Sequence, residues 1–163
     1  MIFNIDDFKN RKTLPQELKR NFLKLAKKIF TKDELSSIKK VNIRVFKQYP
    51  SCQGYDRAFS QLYKNGVVNL ILTPGYDVNE SGRISVLAHE LVHVKQFMRG
   101  ELEFERNPNI YTFKGKKYTK VYSYQVFDSI EDRKEQIEYI SKFCPWEREP
   151  SVFADKHSDY FLR

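Results

Sequence analysis

At 163 residues the chain has the length of one domain, read here as residues 1–163, and can bury roughly two-thirds of the surface its unfolded form exposes. Aromatic residues make up 15% and supply core volume despite a mean hydropathy of −0.63, while no apolar run is long enough to span a membrane and the first seven residues do not read as a signal peptide. The net charge of +8 admits a polyanion such as nucleic acid as a partner, but no nucleic-acid motif accompanies it and a solvated lysine-rich face explains it as well.

Residues 16–30 read as an amphipathic helix, with Leu18, Phe22, Leu25, Ala26 and Ile29 on one stripe and lysines over much of the rest. Residues 41–46 alternate as a strand with one solvated face. A loop over 49–55 leads to two strands, 58–63 and 67–72, around Asn65-Gly66, a strong hairpin signal. Thr73-Pro74-Gly75 closes the second of these. Between Gly82 and Met98 there is no proline, and Ile84, Leu87, Ala88, Leu91, Val92 and Phe97 recur at helical spacing. Ser81 is the expected cap and Gly100 the expected left-handed stop. Further on, 110–113 and 118–127 form an expected second hairpin around Lys114-Gly115-Lys116. Tyr118, Tyr122 and Tyr124 share a parity there, so a regular strand would put them on one face, where a hydroxyl could serve an oxyanion; core packing is their ordinary role. Residues 130–143 read as a helix ended by Pro145, and 151–161 as a last helix. Cys52 and Cys144 make neither a disulfide framework nor a thiolate metal site, so a reducing cytoplasm is the expected setting.

The helix over 82–98 carries His89-Glu90-Leu91-Val92-His93, an HExxH pattern that uses two of the three histidines in the chain. Residues four apart on a helix share a face, so both imidazoles can close on one metal ion. Glu90 stands beside the first of them, where a carboxylate can take a proton from a water the metal activates. The plain alternative is a buried helix whose histidines are satisfied by hydrogen bonds. The pattern arises by chance in on the order of a few chains per thousand, which favours the metal.

A catalytic site of this kind needs a third protein ligand and an open position. The metzincin pattern would place Gly at position 96 and His at position 99, and this chain has Gln96 and Arg99. The third ligand therefore comes from further on, with Glu147, Glu149, His157 and the acidic residues between Gly100 and Glu138 as candidates.

The stretch Pro145-Trp146-Glu147-Arg148-Glu149-Pro150-Ser151-Val152-Phe153-Ala154 resembles the gluzincin class of zinc metallopeptidases, in which a second helix downstream of HExxH contributes a glutamate. The phrase HELVHVKQ, the aromatic-Lys-Gly stretch between Phe113 and Tyr118, and Pro-Trp-Glu-x-Glu also resemble small metallopeptidase-like proteins of tailed bacteriophages. The resemblance covers roughly the second half of the chain. It implies Zn²⁺ bound by His89, His93 and Glu147, with Glu90 as the catalytic base, a peptide or protein as substrate, and the strand 67–72 as the sheet edge beside the metal helix. Pro150 departs from the class, which usually has a small residue such as Ala there. Proline suits only the first turn of a helix, so Glu147 is expected just before the helix, and Glu149 stays open as the ligand.

The expected fold is α+β: a small, mostly antiparallel sheet packed on the HExxH helix, with N-terminal and C-terminal helices. The expected activity is zinc-dependent peptide hydrolysis. The alternatives are a catalytically silent zinc-bearing component of a phage particle, structural or regulatory, and a peptidase tethered to nucleic acid. The setting is then the host cytoplasm or the virion.

Overall fold

The computed structural model describes residues 1–7, 14–45, 58–62, 65–72, 79–104, 110–119 and 122–157. Its first strand, β1 (Ile2–Asp7), is followed by α1 (Leu14–Ile29), α2 (Lys32–Ser37), β2 (Lys40–Val45), β3 (Ala58–Leu62) and β4 (Val67–Leu72). The long helix α3 (Glu80–Met98) comes next. Three short strands follow, β5 (Leu102–Phe104), β6 (Ile110–Phe113) and β7 (Lys116–Thr119). Two helices, α4 (Tyr124–Ser129) and α5 (Arg133–Phe143), lead through a 3₁₀ turn at Pro145–Glu147 into α6 (Arg148–His157).

The larger sheet has the order β1-β2-β4-β3. Its β1–β2 and β2–β4 pairings are parallel and only β3–β4 is antiparallel. The fold is mixed helix and strand, as expected, but a mostly antiparallel sheet is not what packs on α3. There are two causes, a first strand not expected from the sequence and the insertion of β4 between β2 and β3. β1 precedes two helices, and a helical crossover returns the chain to a neighbouring strand in the same direction. The Asn65-Gly66 turn does make the expected antiparallel hairpin, but β4 lies inside the sheet between β2 and β3. The edge beside α3 is therefore β3, and the expectation for 67–72 as the edge is corrected accordingly.

Alternation assigns each strand two faces. Val41, Ile43 and Val45 of β2 and Val68, Leu70 and Leu72 of β4 are fully buried. They meet Leu18, Phe22 and Leu25 of α1 and Ile84, Leu87 and Leu91 of α3 in the main core. On the opposite face, Asn4, Asn42 and Asn69 align across the three parallel strands, and Asn42 Nδ2 donates to Asn69 Oδ1 at 2.8 Å. Glu17 of α1 takes two hydrogen bonds from Arg83, at 2.8 and 3.2 Å, which pins α1 to the first turns of α3.

The ends of α3 explain where the HExxH pattern sits. Asn79 caps it, accepting from Gly82 N at 2.7 Å, so the cap lies two residues before the expected Ser81. At the other end Gly100 adopts φ +68°. Its N–H donates to Phe97 O at 3.0 Å and Glu101 N–H donates to Gln96 O at 2.9 Å, the paired bonds of a Schellman stop.

The smaller sheet, β5-β6-β7, is antiparallel throughout. The expected turn is present, with Lys114 at φ 48° and Gly115 at φ 80°, but the second strand ends at Thr119. Ser123 Oγ accepts from Val126 N at 3.2 Å and starts α4, so the run expected as one strand to Phe127 ends in a helix. α5 likewise begins later than expected, where Asp132 accepts from Glu135 N at 2.9 Å. The sheet covers a second apolar cluster built on Trp146, Leu102 and Cys144. The expected loop over 49–55, Thr73-Pro74-Gly75 and Cys52 lie outside the described residues. Among the described helices, none is long and apolar enough to cross a membrane.

Candidate metal centre

α3 packs between the larger sheet and α6, and its two histidines face the turn that opens α6. One helical turn separates His89 from His93, and their rings lie 4.8 Å apart at 70°. Glu147 ends the 3₁₀ turn, with its N–H on Cys144 O at 2.9 Å. Pro150 falls in the first turn of α6, where its missing N–H is harmless. Glu147 thus stands immediately before the helix, as the proline requires.

Glu147 Oε2 lies 2.8 Å from His89 Nε2 and 3.4 Å from His93 Nε2, and the two nitrogens are 3.1 Å apart. Imidazole and carboxylate donors bind a zinc-sized ion at about 2.0–2.1 Å, so a tetrahedral site sets its ligand atoms about 3.3 Å apart. The three observed separations match one face of such a site. Two imidazoles and one carboxylate are also a donor set suited to a borderline divalent ion. His89, His93 and Glu147 could therefore hold a metal ion.

Burial is graded across the cluster. The His93 side chain is 9% exposed, whereas His89 and Glu147 keep 23% and 22%, so the site opens to solvent on one side. Burial would push His93 down, but the adjacent Glu147 carboxylate, by charge and by hydrogen bond, together with Glu90 and Gln96 carries it up to about 9. Burial would raise Glu147, yet the charge on His93 and the hydrogen bonds from both histidines hold it well below the usual carboxylate range. These opposite displacements describe a site that gathers positive charge around one carboxylate.

Glu90 is buried on the same helix, and burial raises its carboxyl above the ordinary range against the pull of His93 and His89. Ser60 of β3 lies near enough to favour the Glu90 carboxylate. Its buried Oγ makes no hydrogen bond of full geometry among the described residues.

Compared with family models, curated proteins and solved structures, the chain matches none.

The structure brings together three of the residues singled out from the sequence and leaves others apart. Glu149 is exposed and outside the cluster. His157 Nδ1 donates to Phe153 O at 3.0 Å, and its ring stacks on Phe153 at 4.1 Å, a local role within α6. Tyr118 packs edge-on against Trp146, and Tyr122 against Phe127. The Tyr124 side chain lies outside the described residues. Gln96, read from sequence only as the absence of a metzincin glycine, proves to touch His93 directly: Nδ1 lies 2.9 Å from Gln96 Oε1. The visible signal was a polar residue three positions beyond His93, on the same helical face.

Proposed function

We propose that this chain is a zinc-dependent peptidase of gluzincin type, with His89, His93 and Glu147 as metal ligands and Glu90 as general base. The observation that carries this reading is the convergence of three donor atoms within 4.8 Å of one another, beside a buried carboxyl on the same helix. His89, His93 and Glu147 would hold the zinc ion, which would supply Lewis-acid chemistry for the scissile carbonyl and activation of a water. Glu90 accepts the proton of the attacking water and returns it to the leaving amine. Burial raises the Glu90 carboxyl above its ordinary value, which makes it a stronger proton acceptor than an exposed glutamate.

The substrate is a peptide or protein segment, and β3 is where it docks. This strand is the sheet edge nearest α3, so its outer main chain can pair with an extended peptide and bring a scissile bond to the cluster. A purely structural metal site has no use for a buried carboxyl beside its ligands, which tells against the catalytically silent alternative.

The test is Glu90→Gln assayed for bound zinc and for cleavage of a broad peptide library. The expected result is zinc retained and cleavage reduced by roughly 10²–10⁴-fold. Cleavage at the wild-type rate by the zinc-loaded variant would remove Glu90 from the mechanism.

A further inference from the structure

Gln96 is 1% exposed, so its amide must satisfy both ends inside the protein. Its Nε2 donates to the main-chain O of Trp146 at 3.0 Å. A carbonyl can only accept, which fixes the amide: the nitrogen faces Trp146 and Oε1 faces His93. Oε1 in turn only accepts, so His93 must carry a hydrogen on Nδ1, 2.9 Å away. The remaining ring nitrogen, Nε2, is the one that points to Glu147 and His89. Trp146 and Glu147 are consecutive, so a closed ring of contacts runs from His93 through Gln96 and the Trp146–Glu147 peptide back to His93.

The ring is clamped from outside. The Trp146 indole is 3% exposed, stacks on Tyr111 of β6 at 4.7 Å and meets Tyr118 of β7 edge-on at 5.7 Å. The small sheet thus grips the residue whose carbonyl orients Gln96 and whose neighbour is the carboxylate of the cluster.

We propose that Gln96 is a positioning residue that sets the His93 tautomer for metal binding through Nε2, and that the β5-β6-β7 sheet holds this arrangement by way of Trp146. This inference rests on the zinc-site reading. Its consequence is that zinc affinity depends on an acceptor at position 96, independently of how much the side chain contributes to folding. Removing the partner that orients a metal-bound histidine costs about 10–100-fold in affinity.

The test compares wild type, Gln96→Met and Gln96→Glu for zinc affinity by competition with a chromophoric chelator, beside thermal unfolding of each in excess chelator. Methionine fills the space without an acceptor of comparable strength. Glutamate keeps the acceptor toward Nδ1 and loses the donor to Trp146. The expected result is zinc affinity lowered about 10–100-fold in Gln96→Met and held within about threefold of wild type in Gln96→Glu, although both unfold at lower temperature. Equal loss in the two variants would make Gln96 a structural residue and overturn the proposal. So would wild-type affinity in Gln96→Met. If Gln96→Met does not fold, Gln96→Glu alone decides, by keeping or losing its affinity. A wild type that takes up no zinc would overturn the metal reading and this inference together, whereas zinc-binding variants indifferent to position 96 would overturn only the latter.

Discussion

Raising the pH of the metal-free protein should weaken it through one identifiable contact. His93 has an ordinary value near 6.5 and is carried up to about 9 in the fold, chiefly by Glu147 once the opposing effect of burial is overcome. A group raised on folding stabilises the protein fully below its unfolded value, and that contribution disappears as pH climbs through the folded value. The window is therefore about pH 6.5 to 9. The difference of about 2.5 in pKa, at about 1.36 kcal/mol each, gives about 3 kcal/mol lost across it. Domains have only about 5–15 kcal/mol in all, so the loss is large enough to measure. Urea unfolding in excess chelator, followed by the fluorescence of Trp146, the one tryptophan in the chain, reads it directly. With a slope of about 1–3 kcal/mol/M, the midpoint should fall by roughly 1–3 M between pH 6.5 and 9. Lysines and tyrosines also begin to titrate there, so the comparison that isolates the pair is with Glu147→Gln, in which most of the fall should vanish. An identical midpoint-versus-pH curve in the two proteins would refute the coupling of His93 to Glu147.

Three other outcomes are expected. In acid the same pair should fail from its other side: Glu147 is held low, so its contribution is present above about pH 4.5 and lost as pH falls below that, which acid titration of wild type against Glu147→Gln would show. Gly66→Ala should destabilise by about 1–3 kcal/mol in chemical denaturation, because Gly66 sits at φ +80° and an added Cβ would lie 2.3 Å from Ser37 O; unchanged stability would contradict the turn geometry. Glu149→Ala and His157→Ala should bind zinc as wild type does, since neither belongs to the cluster, and a tenfold loss in either by chelator competition would reassign the third ligand.

Much of the candidate site is written locally and could be read without a structure. His89, Glu90 and His93 need only the helical period to share a face, and the apolar residues around them supply that period. Pro150 carried a further local constraint, which placed Glu147 just before α6. That Glu147 rather than Glu149 joins the histidines was read from a resemblance, since nothing in the spacing alone separates two glutamates two residues apart. What escaped was non-local. Whether β2 runs parallel or antiparallel to its neighbours depends on β1, a six-residue strand whose Phe3 and Ile5 alternate with Asn4 and Asp6 but which stands apart from any turn signal, and on β4, which returns from β3 to lie beside β2. The Tyr118–Phe127 run was ambiguous for a different reason: aromatic residues suit a strand, and a single serine cap at Ser123 was enough to turn its second half into a helix. Ser81 and Asn79 are both good caps, and only the observed bond to Gly82 N selects Asn79. The Gln96 role needed Trp146, fifty residues away in the chain, before its amide had an orientation at all.

Every functional role assigned to this chain requires that the three converging side chains bind a metal ion. The most direct measurement is the metal content of the purified protein by mass spectrometry under native conditions, for wild type, His93→Ala and Glu147→Ala. The expected result is one zinc per wild-type chain, lost or much weakened in both variants. A folded wild type that holds no metal even after zinc is supplied would contradict this, and would leave His89, His93 and Glu147 as a partly buried ion-pair cluster.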